Sequence, residues 1–600
     1  MKKHLIVFTA FMIIVFNLRS QSFNNILFTG RFNFSDPAKV EFSNCSSSIK
    51  ANFTGTGISV SLASTSNGAS VTSYLSVIVD GNIFPETRNL IKVSKATKTT
   101  FVLASGLVPG NHTIELVKET EYNTKVAFYG FTVTGGSLGS KPIAPSLSIE
   151  FYGDSNPAGW DAYDPRDAGA VINSGGYYTY PGITARMLNA QYHNISMSGV
   201  GITDRAWRNL INYYHLIHMN DAATGNNLWN FSNFNANAVV INASSNDYYS
   251  SATKSQIKAG WKSFVAALRG RYPTAHIVLA ESYGWALNEP TTYIAETVAE
   301  INAAGDANVS FVLFPWLWGQ NHAVINEHAG FANILAKHLA IKLSLPDPTP
   351  SDLSSFGPYG AVTNGSFEKS TIAGVADGWR PNGNVQLIKN VSDAKDGTNY
   401  LKLYNTAWVN YATEAKPGDI FTVTGWMKGA QNGDLGKLKI EFKDEGQNTI
   451  STNEGLHTLT TGWQNFTTIA TVPPNTWSVW IVLVAERRDY VSFDKVSMSV
   501  IQGAAVSASK QVALPIVDTK ISNSFIVYPN PNKGNEVRIA GMSNEPSSIS
   551  IYDVSGKLIQ TMAINENEKV ILFNRKLRPG IYNLVRTTTS SKISKQFIVD

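Results

Sequence analysis

The sequence predicts a multidomain protein in which an α/β domain with a parallel sheet lies among β-sandwich domains. Short runs that alternate apolar and polar residues fill positions 22–137, which is typical of a β-sandwich. Buried-strand runs alternate with helical periods over 146–345, and β patterning returns over 360–502 and 525–600. A chain of 600 residues also exceeds what one hydrophobic core holds, so several domains are expected.

The first twenty residues have the features of a secretion signal. Lys2 and Lys3 precede an apolar run from Leu5 to Phe16, and small polar residues follow that run. This order is typical of a signal peptide over residues 1–20, and the run is shorter than the ~20 residues of a membrane span. We therefore expect a secreted protein, extracellular or at the cell surface, without a stable membrane span.

Composition excludes several other classes of protein. The net charge of +5 is small, and no basic block resembles a nucleic-acid footprint. Cys45 is the single cysteine of the chain, so an internal disulfide is excluded and a cysteine-based metal site is unsupported. We expect no nucleic-acid partner, no cofactor and no catalytic metal.

Residues 22–137 contain one misleading motif. Gly135–Gly139 matches the G-x-S-x-G pattern of a nucleophile elbow around Ser137. An elbow requires a strand before the serine and a helix after it, and here a proline-containing linker follows. Ser137 is therefore rejected as a nucleophile.

The α/β segment places a serine where a catalytic nucleophile is useful. Its first predicted strand, 147–152, is followed at once by Gly153-Asp154-Ser155. Parallel sheets carry their sites at the carboxyl ends of the strands, so Ser155 can point into a cleft. The other predicted strands are 238–241, 277–280 and 310–314, and the predicted helices lie near 181–190, 255–270, 291–304 and 328–342.

Three further blocks follow later elements of the same domain, around Gly199, Asn246 and His328. In this order the four blocks resemble those of the SGNH, or GDSL-type, hydrolases. The resemblance implies that Ser155 is the nucleophile and His328 its general base. It also implies an oxyanion hole made of the Ser155 and Gly199 backbone N–H groups and the Asn246 side-chain amide.

Two positions depart from that family pattern. Ser244 stands where the family usually has glycine, and Ile325 stands where it usually has the aspartate that orients the histidine. The group that orients His328 is then a backbone carbonyl, which we favour, or another acid. His322 and His338 are alternative bases.

The N-terminal segments resemble the jelly-roll domain of carbohydrate esterase family 2. The matching stretches are Phe28–Arg31, Phe53–Val60, Val79–Gly81 and His112–Lys118. That family joins such a jelly roll to an SGNH domain, so the resemblance covers about residues 22–345. It implies a secreted acetylesterase acting on polysaccharides such as glucomannan or xylan.

Three tryptophans of the α/β domain are predicted to bind substrate. Trp160, Trp316 and Trp318 follow strand ends, and sugars stack on flat aromatic faces. Core packing is the alternative for these side chains. Two other functions also stay open for the whole chain: an esterase for other acyl esters, and a non-catalytic glycan-binding surface protein.

Residues 360–502 resemble carbohydrate-binding modules of the family 4/9/22 type, through Asn364–Glu368, Phe421–Trp426 and Phe493–Val496. Such a module would raise the effective concentration of the enzyme on an insoluble glycan. Trp408, Tyr411 and Trp480 are its candidate ligand contacts.

Residues 525–600 resemble the sorting domain of the type IX secretion system, another small β-sandwich. The matching series runs from Phe525–Gly534 through Ile551–Leu558 and Leu577–Tyr582 to Lys595–Asp600. The resemblance implies export across an outer membrane by that machinery and no part in catalysis.

Overall fold

The structure is a computed structural model, and its contacts divide the chain into two compact units, Met1–Ser507 and Ala508–Asp600. In the first unit it describes residues 23–65, 72–121, 124–223, 225–283, 290–315, 322–486 and 489–503. In the second unit it describes residues 526–528, 533–540, 547–553, 557–564, 569–573, 576–587 and 592–599. The predicted signal peptide, residues 1–20, lies outside the described residues. Within the described ranges, no helix is long and apolar enough to cross a bilayer.

The N-terminal region is a β domain built around two long strands. Its strands are β1 (Ile26–Thr29), β2 (Val40–Phe42), β3 (Ser48–Ser64), β4 (Ser73–Val79), β5 (Leu90–Val93), β6 (Thr99–Lys118), β7 (Val126–Thr134) and β8 (Ser137–Leu138). They pair antiparallel in the order β2-β7-β3-β6-β4-β5, with β1 and β8 also on β3. Ser137 lies in β8 opposite Thr54, so the elbow motif forms an edge strand.

The central domain has the predicted parallel sheet. Its strands are β9 (Leu147–Gly153), β10 (Ala190–Ser196), β11 (Val200–Gly201), β12 (Arg208–Asn209), β13 (Ala238–Asn242), β14 (His276–Tyr283) and β15 (Val309–Pro315). Its helices are α1 (Ser155–Ala158), α2 (Tyr180–Met187), α3 (Ser245–Tyr249), α4 (Lys254–Arg269), α5 (Pro290–Ala303) and α6 (Ile325–Lys342). The five-stranded sheet has the order β10-β9-β13-β14-β15 and is parallel throughout. Strand β9 is therefore near the centre, and its carboxyl end carries Ser155.

A buried arginine joins the N-terminal domain to this sheet. Arg31 donates through Nη2 to Glu150 Oε1 of β9 at 2.8 Å and through Nη1 to the Tyr214 and Leu216 carbonyls at 2.6 and 2.8 Å. Burial would raise the pKa of Glu150, but the Arg31 charge and further hydrogen bonds lower it to about 2. A buried ion pair of this kind adds little net stability and mainly fixes geometry, so it sets how the two domains pack.

The third region returns to antiparallel β structure. Its strands are β16 (Arg380–Lys389), β17 (Asn399–Glu414), β18 (Ile420–Gly429), β19 (Leu435–Lys443), β20 (Thr449–Asn453), β21 (Leu456–Thr458), β22 (Gln464–Thr471), β23 (Ser478–Ala485) and β24 (Tyr490–Ile501). Trp480 and Trp477 pack with Ala412 and Phe356 near Leu313 of the central domain, while Tyr411 is buried in the core of the third domain. Two of the three candidate glycan contacts thus take part in packing.

The second unit holds two small sheets. Its strands are β25 (Ile526–Tyr528), β26 (Glu536–Ala540), β27 (Ser547–Asp553), β28 (Leu558–Ile564), β29 (Lys569–Leu572), β30 (Gly580–Thr587) and β31 (Lys592–Val599). They pair in the orders β25-β26-β29 and β28-β27-β30-β31. The predicted β-rich character of all three non-central regions is confirmed, and their arrangement as sandwiches stays a prediction.

Candidate active site

Three parallel strands end together at Gly153. Asn242 of β13 and Ser196 of β10 are its register partners on either side. A Cβ on Gly153 would lie 2.5 Å from the Asn242 carbonyl oxygen, so only glycine allows this close approach. The Asp154 N–H then donates to the same carbonyl at 3.2 Å, which directs the chain into α1 and places Ser155 at the sheet edge.

Ser155 is hydrogen-bonded to a histidine from the far end of the domain. Its Oγ lies 2.8 Å from Nε2 of His322, and Nδ1 of His322 lies 2.9 Å from both carboxylate oxygens of Asp167. A carboxylate can only accept, so His322 Nδ1 carries the proton and Nε2 offers its lone pair to the serine hydroxyl. This is the hydrogen-bond order of a nucleophile, its base and an orienting acid.

The electrostatics of Asp167 suit an orienting role. Burial would raise the pKa of its carboxyl, but the side-chain and backbone hydrogen bonds from His322 lower that pKa below its ordinary value. The His322 backbone N–H also donates to this carboxylate, at 3.2 Å. Asp167 therefore stays ionised and can stabilise an imidazolium.

The structure places His328, the predicted base, in the core and hydrogen-bonds Ser155 to His322 instead. Helix α6 begins at Ile325, three residues earlier than predicted, so His328 lies in its first turn and is fully buried. Its Nδ1 accepts from the Tyr180 N–H at 3.4 Å, and its Nε2 has no hydrogen-bond partner among the residues that the structure describes. Burial is the main cause that lowers the pKa of His328, to about 3, with smaller contributions from the nearby His322 and Arg380, so its imidazole is neutral at pH 7.

The structure also places His338, an alternative base, away from Ser155. His338 is bonded to Ser310 at 2.8 Å, at the start of β15 and hence at the opposite edge of the sheet from Ser155. The group bonded to His322 Nδ1 is Asp167, in the loop after Ser155, where we had favoured a backbone carbonyl as the orienting group of the base. The sequence analysis did not single out Asp167, because this residue lies in an irregular loop without a periodic pattern. Its backbone has a left-handed φ of 57°.

The predicted oxyanion residues lie on two loops beside Ser155. Asn246 Nδ2 donates to the Val200 carbonyl at 2.9 Å, next to Gly199, and Ser245 Oγ donates to Asp154 Oδ2 at 3.0 Å. Gly199 has φ 79°, a left-handed conformation that favours glycine. The three residues are thus brought to one edge, and their role as oxyanion donors stays a prediction.

Ser244, the first departure from the family pattern, has a structural partner. Its hydroxyl donates to the carboxylate of Glu281 at the end of β14. The serine thus links two neighbouring strand ends and leaves the loop that carries Asn246 in place.

A glutamate of the N-terminal domain binds the loop that carries Gly199. Both Ser198 groups donate to the Glu121 carboxylate, the backbone N–H at 2.8 Å and the hydroxyl at 2.7 Å. Glu121 is buried, and burial raises the pKa of its carboxyl while the Ser198 hydrogen bonds lower it. Because Ser198 precedes Gly199, this contact fixes where the Gly199 N–H points.

Aromatic side chains border the site. Trp160 is half-buried, and its ring lies near Gly169 in the loop that carries Asp167. Trp316 and Trp318 lie outside the described residues. Sequence reasoning missed Trp207, whose ring sits beside Gly199 and which is 60% exposed. An exposed tryptophan next to a candidate oxyanion loop is a flat surface on which a substrate can stack.

Within the ranges that the structure describes, no group of three or more His, Cys, Asp or Glu side chains is arranged to hold a metal ion.

Three parts of the chain match known protein families. Residues 28–142 match the carbohydrate esterase 2 N-terminal family, residues 151–333 the GDSL-like lipase/acylhydrolase family, and residues 526–600 the secretion system C-terminal sorting domain. The chain therefore carries these three domains, as the sequence predicted. The sorting domain marks a secreted or cell-surface protein. The three matched ranges leave residues 334–525 between them.

The chain is also similar to several proteins with known names. The chain is 32% identical over 336 residues to the cellulase/esterase CelE of Acetivibrio thermocellus, across 53% of this chain and 39% of that protein. It thus spans well under half the length of that curated relative. It is 31% identical to a family two carbohydrate esterase from Clostridium thermocellum solved with cellohexaose, covering 53% of this chain and 99% of that one, with a TM-score of 0.49. A family two carbohydrate esterase from Cellvibrio japonicus is 22% identical over 54% of this chain and 96% of its own, with a TM-score of 0.47.

The environment of Asp154 predicts a pH-dependent stability. Burial raises its pKa to about 6, although the Asn156 N–H and Ser245 lower it. The folded state therefore binds this proton more tightly than the unfolded chain, and stability is lost as pH rises from about 4 through 6. Asp154→Asn should gain up to about 3 kcal/mol relative to the wild type at pH 8, and less than about 1 kcal/mol at pH 4. Thermal or urea unfolding at the two pH values measures this.

The matched control is Asp347→Asn, an exposed aspartate in the linker after α6. It should leave the difference between the two pH values unchanged. An Asp154→Asn gain of equal size at pH 4 and pH 8 would contradict the assignment.

The Glu121 contact predicts a catalytic effect at a distance. Glu121→Gln keeps the side-chain shape but faces one Ser198 donor with an amide N–H, so the Gly199 loop shifts. Small misplacements of oxyanion donors are costly, and we expect kcat on an aryl acetate to fall about 10- to 100-fold. Glu115→Gln, on strand β6 of the same domain, is the control and should retain wild-type kcat. An equal fall in kcat in both variants would contradict a specific role of Glu121.

Proposed function

We propose that this chain, in which a carbohydrate esterase 2 N-terminal domain precedes a GDSL-like hydrolase domain, is a secreted serine esterase that removes acetyl groups from a polysaccharide. The observation that carries the proposal is the hydrogen-bonded series Ser155–His322–Asp167 at the carboxyl edge of the parallel sheet. The domain matches support a carbohydrate esterase, and the acetyl and polysaccharide specificity is our inference.

The first step is acyl transfer to Ser155. Its Oγ attacks the ester carbonyl carbon while His322 Nε2 accepts the hydroxyl proton, and Asp167 stabilises the imidazolium that results. The carbonyl π electrons move to oxygen and form a tetrahedral oxyanion. Collapse of this intermediate expels the sugar oxygen, which takes the proton from His322 and leaves as a hydroxyl group.

The oxyanion is the charge that the site must stabilise. The Ser155 and Gly199 backbone N–H groups and the second N–H of the Asn246 amide are the proposed donors. Each such donor typically contributes about 10²–10³ in rate. Water then attacks the acyl-enzyme with His322 as base, releasing acetate and restoring Ser155.

Trp207 supports a sugar as the alcohol part of the ester. Its ring lies against the loop of Gly199, within reach of a substrate whose carbonyl occupies the oxyanion site. The Arg208 guanidinium lies 4.5 Å from the ring centroid and steadies the indole. A large exposed aromatic at this place favours a substrate with a flat apolar C–H face, as pyranose rings have.

If His322 and not His328 is the base, substitutions of these two histidines should have opposite effects on activity. Acetate release from acetylated glucomannan, acetylated xylan and an aryl acetate should fall about 10³-fold or more in Ser155→Ala and His322→Asn, because each removes a partner of the proton transfer. His328→Gln keeps an acceptor for the Tyr180 N–H and should retain kcat within about threefold, even where its Tm falls.

The result that would contradict this assignment is loss of activity in folded His328→Gln with activity retained in His322→Asn. An aryl butyrate measured beside the aryl acetate tests the acyl group, and equal or faster turnover of the butyrate would replace the acetyl proposal with a broader esterase. Silence of the wild type on every ester would leave a glycan-binding surface protein.

Trp207 should matter for the polymer and not for the small ester. Trp207→Ala removes the stacking surface, so KM on the acetylated polysaccharide should rise about 10-fold, while kcat/KM on an aryl acetate stays within about twofold. Phe84→Ala in the N-terminal domain is the matched control, since Phe84 is also 60% exposed. An equal loss on both substrates would show that Trp207 acts through the Gly199 loop and does not bind sugar.

A further inference from the structure

One buried side chain of the third domain reaches the catalytic loops. Arg380 is the first residue of β16, lies outside the three matched ranges and is 4% exposed. It is the register partner of Asn410 on β17, so the antiparallel sheet of the third domain fixes its backbone. Its side chain crosses into the central domain.

The guanidinium makes hydrogen bonds in three directions. Nη1 donates to the Pro165 carbonyl at 2.9 Å, and Nη2 donates to the His322 carbonyl at 2.8 Å. Nε donates to Glu327 Oε1 at 3.0 Å, and Nη2 also contacts the second carboxylate oxygen of Glu327. The planar fork of an arginine suits this arrangement, because its donors point along fixed, divergent directions.

The two carbonyls belong to the two loops that carry His322 and Asp167. His322 is the histidine bonded to Ser155, and Pro165 lies two residues before Asp167. These segments are far apart in sequence and meet through the pair between Asp167 and His322. A single rigid group that holds both backbones therefore limits how far the imidazole and the carboxylate can separate.

Glu327 gives the guanidinium its anchor within the central domain. Its carboxylate also accepts the Val324 N–H at 2.9 Å, at the start of helix α6. Arg380 thus connects the first turn of α6, the segment of His322 and the loop of Asp167. Glu327 and Arg380 are both nearly inaccessible, so water competes little for these bonds.

We propose that Arg380 is a positioning residue of the active site, through which the third domain sets the geometry of the His322–Asp167 pair. The proposal rests on the proposed function of Ser155 and His322. It gives the third domain a part in catalysis in addition to any binding of glycan. Arg380 touches backbone atoms of the catalytic loops and acts through them.

The test compares full-length variants that keep a balanced charge. Arg380→Met alone would leave Glu327 buried without its partner, so the main variant is Arg380→Met with Glu327→Gln, which keeps an oxygen for the Val324 N–H. Arg380→Lys keeps the positive charge, but its single ammonium cannot reach both carbonyls and the carboxylate. Lys389→Ala, an exposed lysine on the same strand, is the control.

We expect kcat on an aryl acetate to fall about 10- to 100-fold in both Arg380 variants, with KM changed less than about threefold, since Arg380 does not reach the substrate. The rate at which a fluorophosphonate labels Ser155 should fall in parallel, because that reaction uses the same base. Lys389→Ala should match the wild type. Circular dichroism and Tm establish that each variant is folded.

Wild-type kcat and labelling rate in either folded Arg380 variant would overturn the proposal. A rise in KM with unchanged kcat would overturn it too, since that result indicates binding of substrate. The labelling rate is measured without acetate release, so it decides the role of Arg380 even where the acetylesterase proposal fails.

Discussion

The hydrogen bond between Ser155 Oγ and His322 Nε2 is the interaction on which the site depends. It joins the end of the first strand of the sheet to the segment before its last helix, 167 residues further along the chain. Such a bond forms only where the two heavy atoms are held about 2.6–3.2 Å apart. The close approach of β9, β10 and β13 at Gly153 holds the serine end, and the loop of Asp167 with the start of α6 holds the histidine end.

Charged side chains from two other domains complete this support. Glu121 from the N-terminal domain receives both donors of Ser198, and Arg380 from the third domain binds the carbonyls of Pro165 and His322. Buried charges cost desolvation energy and add little to net stability, but their hydrogen bonds form only within a narrow range of directions and distances. The loops around Ser155 and His322 therefore take their geometry from three domains, one of which lies outside the matched ranges.

The sequence predicted which residues lie at the strand ends of the central sheet, but it did not predict which histidine is hydrogen-bonded to Ser155. Ser155, Gly199 and Asn246 follow buried strands, and strand ends of a parallel sheet meet at one edge whatever the details of packing. The histidine is different, because it follows the last strand by way of an irregular segment with no periodicity to place it. His322 and His328 lie six residues apart, and only the start of α6 at Ile325 turns one into the cleft and the other into the core.

The sequence by itself determined the order of the matched domains, the parallel sheet, the position of Ser155 at a strand end and the secretion domain, because each rests on local patterns of apolar and polar residues or on short motifs. The tertiary structure alone decided that His322 and Asp167 are hydrogen-bonded in series with Ser155, and which side chains of the other domains bind their loops. Asp167, Glu121 and Arg380 lie in loops or at strand ends, where no local pattern distinguishes a functional charge from a solvated one. Their partners are hydrogen-bonded groups far away in the sequence, and such partnerships exist only once the domains have packed.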